Sequence, residues 1–205
     1  MPSISIPPIT INSRDWKSIH RQYGYGQALY IAGNQDQGNY SFNFRLNYHQ
    51  KDGALTFSWN NDRNNLGRAK FDPSYVGKIY NPYTVLQLEL PYLKKTIEVY
   101  SREWPNTLLH FFARKTPTGN SHFDKLFQTT ATQEIISEIL PQLYYLQDEA
   151  LGRSLQLTTN YEDAVTEKFY LRIRINKLLQ KASTIENLLH HTTTLVNKLE
   201  RFAKK

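Results

Sequence analysis

Between Tyr40 and His49 apolar and polar residues alternate without a break. Tyr40, Phe42, Phe44, Leu46 and Tyr48 stand against Ser41, Asn43, Arg45, Asn47 and His49. A period of two sends the two sets to opposite faces of a pleated strand, so the segment predicts a strand with one buried and one wetted face. Leu55, Phe57 and Trp59 repeat the pattern. Lys51-Asp52-Gly53 just before them predicts a hairpin turn in which Gly53 takes a positive φ. Further strands are predicted at Leu29-Tyr30-Ile31, Thr84–Leu90, Thr96–Arg102, Thr107–Arg114 and Ser154–Thr159. One more is predicted at Phe169–Ile175, where Phe169, Leu171, Ile173 and Ile175 alternate with Tyr170, Arg172 and Arg174.

Helical spacing interrupts this pattern. Trp16, Ile19 and Tyr23 share a face behind a capping Ser13, with Gly24 as the stop. Phe123, Leu126 and Phe127 predict one turn of helix, beyond an exposed loop at Thr116–Asn120. Thr130 and Gln133 have capping-box spacing ahead of Ile135, Ile136, Ile139 and Leu140. Pro141, lacking an N–H, should end or kink that helix, with Leu143–Ala150 continuing at an angle. The longest helix is predicted from Leu178 to the carboxyl end. Its stripe of Ile185, Leu188, Thr192, Leu195, Leu199 and Phe202 steps alternately by three and four. Such a stripe either docks on the sheet or joins two copies of the chain.

The predicted fold is therefore α+β: a mainly antiparallel sheet with helices packed on one face and a long C-terminal helix. Pro2, Pro7 and Pro8 make residues 1–12 an extended segment. Residues 13–205 are expected to form a single α+β domain, strand-rich over 28–114 and helix-rich over 121–205. Polar turns are expected at Gly33–Gly38 and Asn60–Gly67. The predicted core comprises Tyr40, Phe42, Phe44, Leu55, Phe57, Trp59, Ile97, Val99, Ile139, Leu188 and Leu195. Each contributes roughly 1.5–3 kcal/mol on burial.

Composition narrows the chemistry. The 205 residues are 40% hydrophobic and 13% aromatic, enough to build a core. The absence of cysteine excludes disulfide scaffolds, cysteine-bound zinc, cysteine-ligated iron–sulfur clusters and thiol nucleophiles. No run approaches the roughly 18 to 20 apolar residues of a membrane helix. The amino terminus has no basic start followed by an apolar run, so no membrane span and a cytoplasmic location are expected.

Acid–base and metal candidates are few. His190 and His191 are adjacent, so on a helix they diverge by about 100° and do not share a metal. His110 falls on a strand face with Leu108 and Phe112, the place of a core histidine. His122 lies two residues from Asp124 and is the one His–carboxylate proximity to test. No phosphate loop, GxSxG elbow or HExxH motif occurs. A nuclease-type Glu-x-Lys fails because Glu89-Leu90 is followed by Pro91, while Asp15-Trp16-Lys17 opens a predicted helix. No metal, cofactor or catalytic residue is assigned.

The net charge of +7 directs attention to polyanions. Arg172, Arg174, Lys177 and Lys181 would make one basic stripe if the strand and the following helix lay edge to edge, although a solvated face is the commoner use of such charge. The 14 tyrosines suit either half-buried strands or a binding surface. The reading that follows is a soluble bacterial protein acting as a non-catalytic binding or assembly module, with a protein partner or self-association through the C-terminal helix. Nucleic-acid binding through the basic stripe is the alternative.

Overall fold

A computed structural model describes residues 13–31, 37–46, 51–60, 82–101, 117–147, 155–163 and 167–203. The extended segment 1–12, the strand Thr107–Arg114 with His110, Tyr48 and most of the Asn60–Gly67 loop lie outside them. Among the described residues are eight strands: β1 (Gly24–Ile31), β2 (Gln37–Leu46), β3 (Lys51–Asn60), β4 (Tyr83–Glu89), β5 (Glu98–Ser101), β6 (Phe127–Thr129), β7 (Leu155–Asp163) and β8 (Lys168–Ile175). They form one sheet in the order β1-β2-β3-β4-β8-β7-β5-β6, antiparallel throughout. The described residues also include four α-helices, giving an α+β architecture: α1 (Ser13–Tyr23), α2 (Ser121–Leu126), α3 (Gln133–Leu143) and α4 (Ala182–Ala203). A 3₁₀ turn at Tyr144–Gln147 follows α3. The late strands β7 and β8 insert between β4 and β5, so the strand-rich and helix-rich stretches of sequence share one sheet.

The alternating rings point inward as their period requires. Phe44, Leu55 and Phe57 are completely buried, and Tyr40, Phe42 and Trp59 nearly so. Trp16 of α1 closes over them, its ring stacked 4.4 Å from Phe57. Its indole N–H donates to the Leu179 carbonyl at 2.7 Å, which supplies the acceptor a buried indole needs. All eleven residues predicted for the core are buried. The α4 stripe of Ile185, Leu188, Thr192, Leu195 and Leu199 belongs to the same core. The seam suggested for self-association is thus occupied by the protein's own sheet and helices.

Several local expectations are corrected. Lys51, Asp52 and Gly53 do not turn: they are strand residues paired with Leu46, Arg45 and Phe44. Gly53 serves close packing instead, because a Cβ there would come within 2.5 Å of both the Gln87 carbonyl oxygen and the Phe44 ring. The last helix starts at Ala182, four residues later than predicted. Residues 177–181 are held out of it by tertiary bonds. Thr84 Oγ1 donates to the Lys177 carbonyl and accepts from Leu179 N–H, while Asp15 accepts from Ala182 N–H. Thr130 is no cap. The N-cap of α3 is Thr132, and Thr130 Oγ1 accepts from Glu98 N–H at 2.9 Å. Thr118, expected in an exposed loop, is buried with its hydroxyl and N–H on the Asp124 carboxylate. Pro141 lies in the last turn of α3, which ends two residues later. Among the described residues no helix is long and apolar enough to cross a membrane.

Candidate functional site

With the helices gathered on one face, the other face of the sheet carries the outward set of the same alternating strands. Cross-strand partners share a face, so the register identifies its members. Arg172 is flanked by Gln87 of β4 and Thr158 of β7, and Arg174 by Val85 and Gln156. One strand further, Glu98 of β5 pairs with Thr158 and Tyr100 with Gln156. Two residues apart on one strand, the two arginines have Cα atoms about 6.7 Å apart.

A β-bulge adds the aromatic component. The β7–β8 register shifts between Thr158 and Tyr161, and Asn160 adopts φ 54°. Asparagine is one of the few residues other than glycine that take this conformation readily. Its side chain clamps the Leu93 backbone on both sides, Oδ1 accepting from the N–H and Nδ2 donating to the C=O, each at 2.8 Å. The extra residue sets Tyr161 opposite Tyr170, on the arginine face; in unbroken alternation it would point into the core. The Arg172 guanidinium carbon then lies 4.5 Å from the Tyr161 ring centroid, and that of Arg174 lies 4.7 Å from Tyr83. A ring against one face of a guanidinium fixes its plane and leaves its N–H edge for an anion.

Both arginines and Tyr161, but not Tyr83, line a cleft of about 200 Å³ whose other walls are Glu98, Gln156 and Thr158. The side chains are half-buried, which raises the strength of charge interactions above that in bulk water. Arg172 Nε is buried with no hydrogen-bond acceptor. A donor held away from water without an acceptor costs about 1–3 kcal/mol.

Among the described residues, two ion pairs lie elsewhere on this face. Arg45 makes a two-pronged contact with Asp52, at 2.6 and 3.0 Å, and Lys168 pairs with Glu89 at 2.9 Å. The bond from Arg45 holds the Asp52 carboxyl below its ordinary range, and Glu89 raises the Lys168 ammonium. A second cleft, of about 340 Å³, includes Lys51 and Lys168, but Glu200 and Glu89 engage these two lysines.

Of the four residues proposed from sequence for a basic stripe, the structure brings together Arg172 and Arg174. Lys177 and Lys181 are exposed on the connection to α4. There the backbone leaves the sheet for the helical layer, and the Lys181 carbonyl accepts from the N–H groups of Thr184 and Ile185 in α4. Their expected edge-to-edge alignment with the arginines is replaced by this crossing. His122 is exposed on α2, and among the described residues no hydrogen bond joins it to Asp124, whose carboxylate holds Thr118. His191 stacks on Tyr145 at 4.2 Å and meets His190 edge-on, an aromatic cluster on α4. Among the described residues no group of three His, Asp or Glu side chains is placed to hold a metal.

Sequence reading missed Tyr161, Tyr83, Glu98, Gln156 and Thr158. The available signal was the polar half of each strand's alternation together with Asn160 as a bulge former; strand order was needed to join them. Comparison with family models, curated proteins and solved structures finds no match to this chain.

Proposed function

We propose that the protein is a non-catalytic binding module that recognises an anionic group in the arginine cleft. The observation carrying this reading is the pair of guanidiniums on one strand face, each set against a tyrosine ring and both lining a cleft with polar walls. Two planar forks with fixed orientation suit carboxylate or phosphate oxygens. The test is thermal unfolding at constant ionic strength with phosphate, sulfate and small carboxylates. A ligand at a hundred times its Kd stabilises by about 2.7 kcal/mol. The wild type should melt higher with at least one of these anions, and Arg172→Gln should lose the response. Equal responses in both proteins, or none in either, would overturn the reading. Substrate turnover abolished by His122→Ala would do the same for its non-catalytic part.

Nucleic-acid binding is the second reading, favoured by the aromatic-backed arginines and the +7 charge. Glu98, Glu89 and Asp52 on the same face weigh against a phosphate-tracking surface. Anisotropy with a fluorescent single-stranded oligonucleotide distinguishes the two. This second reading expects affinity that falls steeply with salt and weakens in an Arg172→Ala, Arg174→Ala double variant. No binding at low salt removes it.

A further inference from the structure

We infer that the open edge of β1 takes a short acidic segment of a partner protein as an added strand, with alternate carboxylates under Lys17 and Arg21 of α1. The site is separate from the arginine cleft. Among the described residues β1 has one neighbour, β2, so its other edge is the end of the sheet. About half of the N–H and C=O groups of such a strand point away from its neighbour, where another chain can pair with them. Sheet edges are commonly blunted by lysine or proline, yet the eight residues of β1 include no charge and no proline. Tyr25, Gly26 and Gln27 are exposed along it.

The helix above the edge supplies the charge. On one flank of α1, Asp15 accepts from the Ala182 N–H and so faces α4. On the other flank the His20 ring lies on Phe42 of β2, its Nε2 3.3 Å from the Gly26 carbonyl oxygen of β1. At about 100° per residue, Lys17 stands roughly 60° and Arg21 roughly 100° beyond His20, away from Asp15. Both therefore leave the helix on the side of the open edge. Both are exposed, and among the described residues no carboxylate pairs with either. A strand added about 4.8 Å from β1 would present every second side chain to that side of α1. Carboxylates at those positions meet the two cations. The intervening side chains fall on the opposite face, where the Arg45 guanidinium lies 5.5 Å from the Tyr25 ring.

The same features select the occupant. Two copies joined edge to edge by a two-fold axis normal to the sheet would set their α1 helices side by side, with Lys17 and Arg21 of one against those of the other. Like charges so placed oppose that pairing. A nucleic acid would meet the cations but has no peptide groups to continue the ladder. The register shifts between Tyr25 and Leu29, where four steps along β1 span two along β2 and Gly26 takes φ 70°. Such a bulge bends the edge. Regular pairing with β2 resumes at Leu29, Tyr30 and Ile31, which suits a short extended segment better than the long edge of another sheet.

The experiment is fluorescence anisotropy of the full chain with a labelled, end-blocked peptide of about ten residues in which Glu alternates with Val. It should bind, and more weakly as salt is raised. A Lys17→Glu, Arg21→Glu double variant should lose about tenfold or more in affinity. Both positions are exposed, and circular dichroism verifies that the variant folds. N-methylation of the peptide tests the main-chain pairing. In a strand the Glu N–H groups point to one edge and the Val N–H groups to the other. Methylating one set should therefore weaken binding about tenfold or more, while methylating the other leaves it unchanged. Equal effects from the two methylated peptides, or none, overturn the inference, as does unchanged affinity in the double variant. Loss of binding in Arg172→Gln would move the peptide to the arginine cleft and overturn it as well. No binding at about 1 mM peptide has the same consequence, whether the wild type then proves to dimerise or to take a single-stranded oligonucleotide through Lys17 and Arg21.

Discussion

The two faces of the sheet are built from the same strands, yet they answer to different physics. Under the helices, Trp16, Phe44, Leu55, Phe57, Leu171 and Ile173 are buried to about 1% exposure or less, and their contribution is area removed from water. On the opposite face, Arg172, Arg174, Gln156, Thr158 and Tyr161 remain half-buried. Their contribution depends on pairing geometry, where a missing partner is costly and a good one is worth little net. The helix-covered face is accordingly where stability resides. Val85 and Tyr100 on the arginine face are buried as well, so it is the half-buried lining of the cleft, rather than the whole face, that can change with little effect on the fold.

The sharpest way to break this contrast is Trp16→Ala. It removes a ring stacked on Phe57 and leaves the Leu179 carbonyl without its donor. A loss of about 3–5 kcal/mol is expected in urea unfolding. A loss below about 1 kcal/mol would show that the covered face is not the stabilising one. Gly53→Ala comes next, at about 1–3 kcal/mol, because the new methyl meets the Gln87 carbonyl and the Phe44 ring in a sheet with no room to open. Arg172→Met on the other face should stay within about 0.5 kcal/mol of wild type, since losing the Tyr161 contact is offset by removing a buried donor that has no acceptor. Its thermal response to anions should nevertheless vanish.

The smallest expected effect concerns pH. Burial, and secondarily the neighbouring His190, push the His191 imidazole below its ordinary value. The unfolded chain therefore binds this proton more readily than the native protein. The associated stability is complete above about pH 6.5 and declines as pH falls from there towards the lowered native value. His191→Phe keeps a ring on Tyr145 and should flatten the slope of stability between pH 5 and about 7, measured by denaturant midpoints. An unchanged slope would assign the pH dependence to other groups.

How far the sequence revealed this molecule can be judged residue by residue. The alternation from Tyr40 through Trp59 placed six aromatic or aliphatic side chains correctly in the core, because a period of two leaves one face for them once a helix covers the sheet. The α4 stripe was equally plain from its spacing. Gly53 was misread because glycine suits both a positive φ and a close approach of two chains, and a single sequence contains no sign of which applies. The three residues of β6 are too few to show a period. Arg172 and Arg174 were recognisable as a basic pair, but Glu98 lies more than seventy residues away and meets them only through the β5–β7–β8 order.

Alone, the amino-acid order determined which side of each strand is apolar and which stretches wind into helices, because these depend on local periodicity and backbone sterics. Strand order, the one-residue shift at Asn160 and the meeting of Glu98 with the arginine pair were decided by the tertiary structure. Closing long loops costs entropy that only packing and hydrogen bonding across the assembled sheet repay, so those choices belong to the whole fold rather than to any segment.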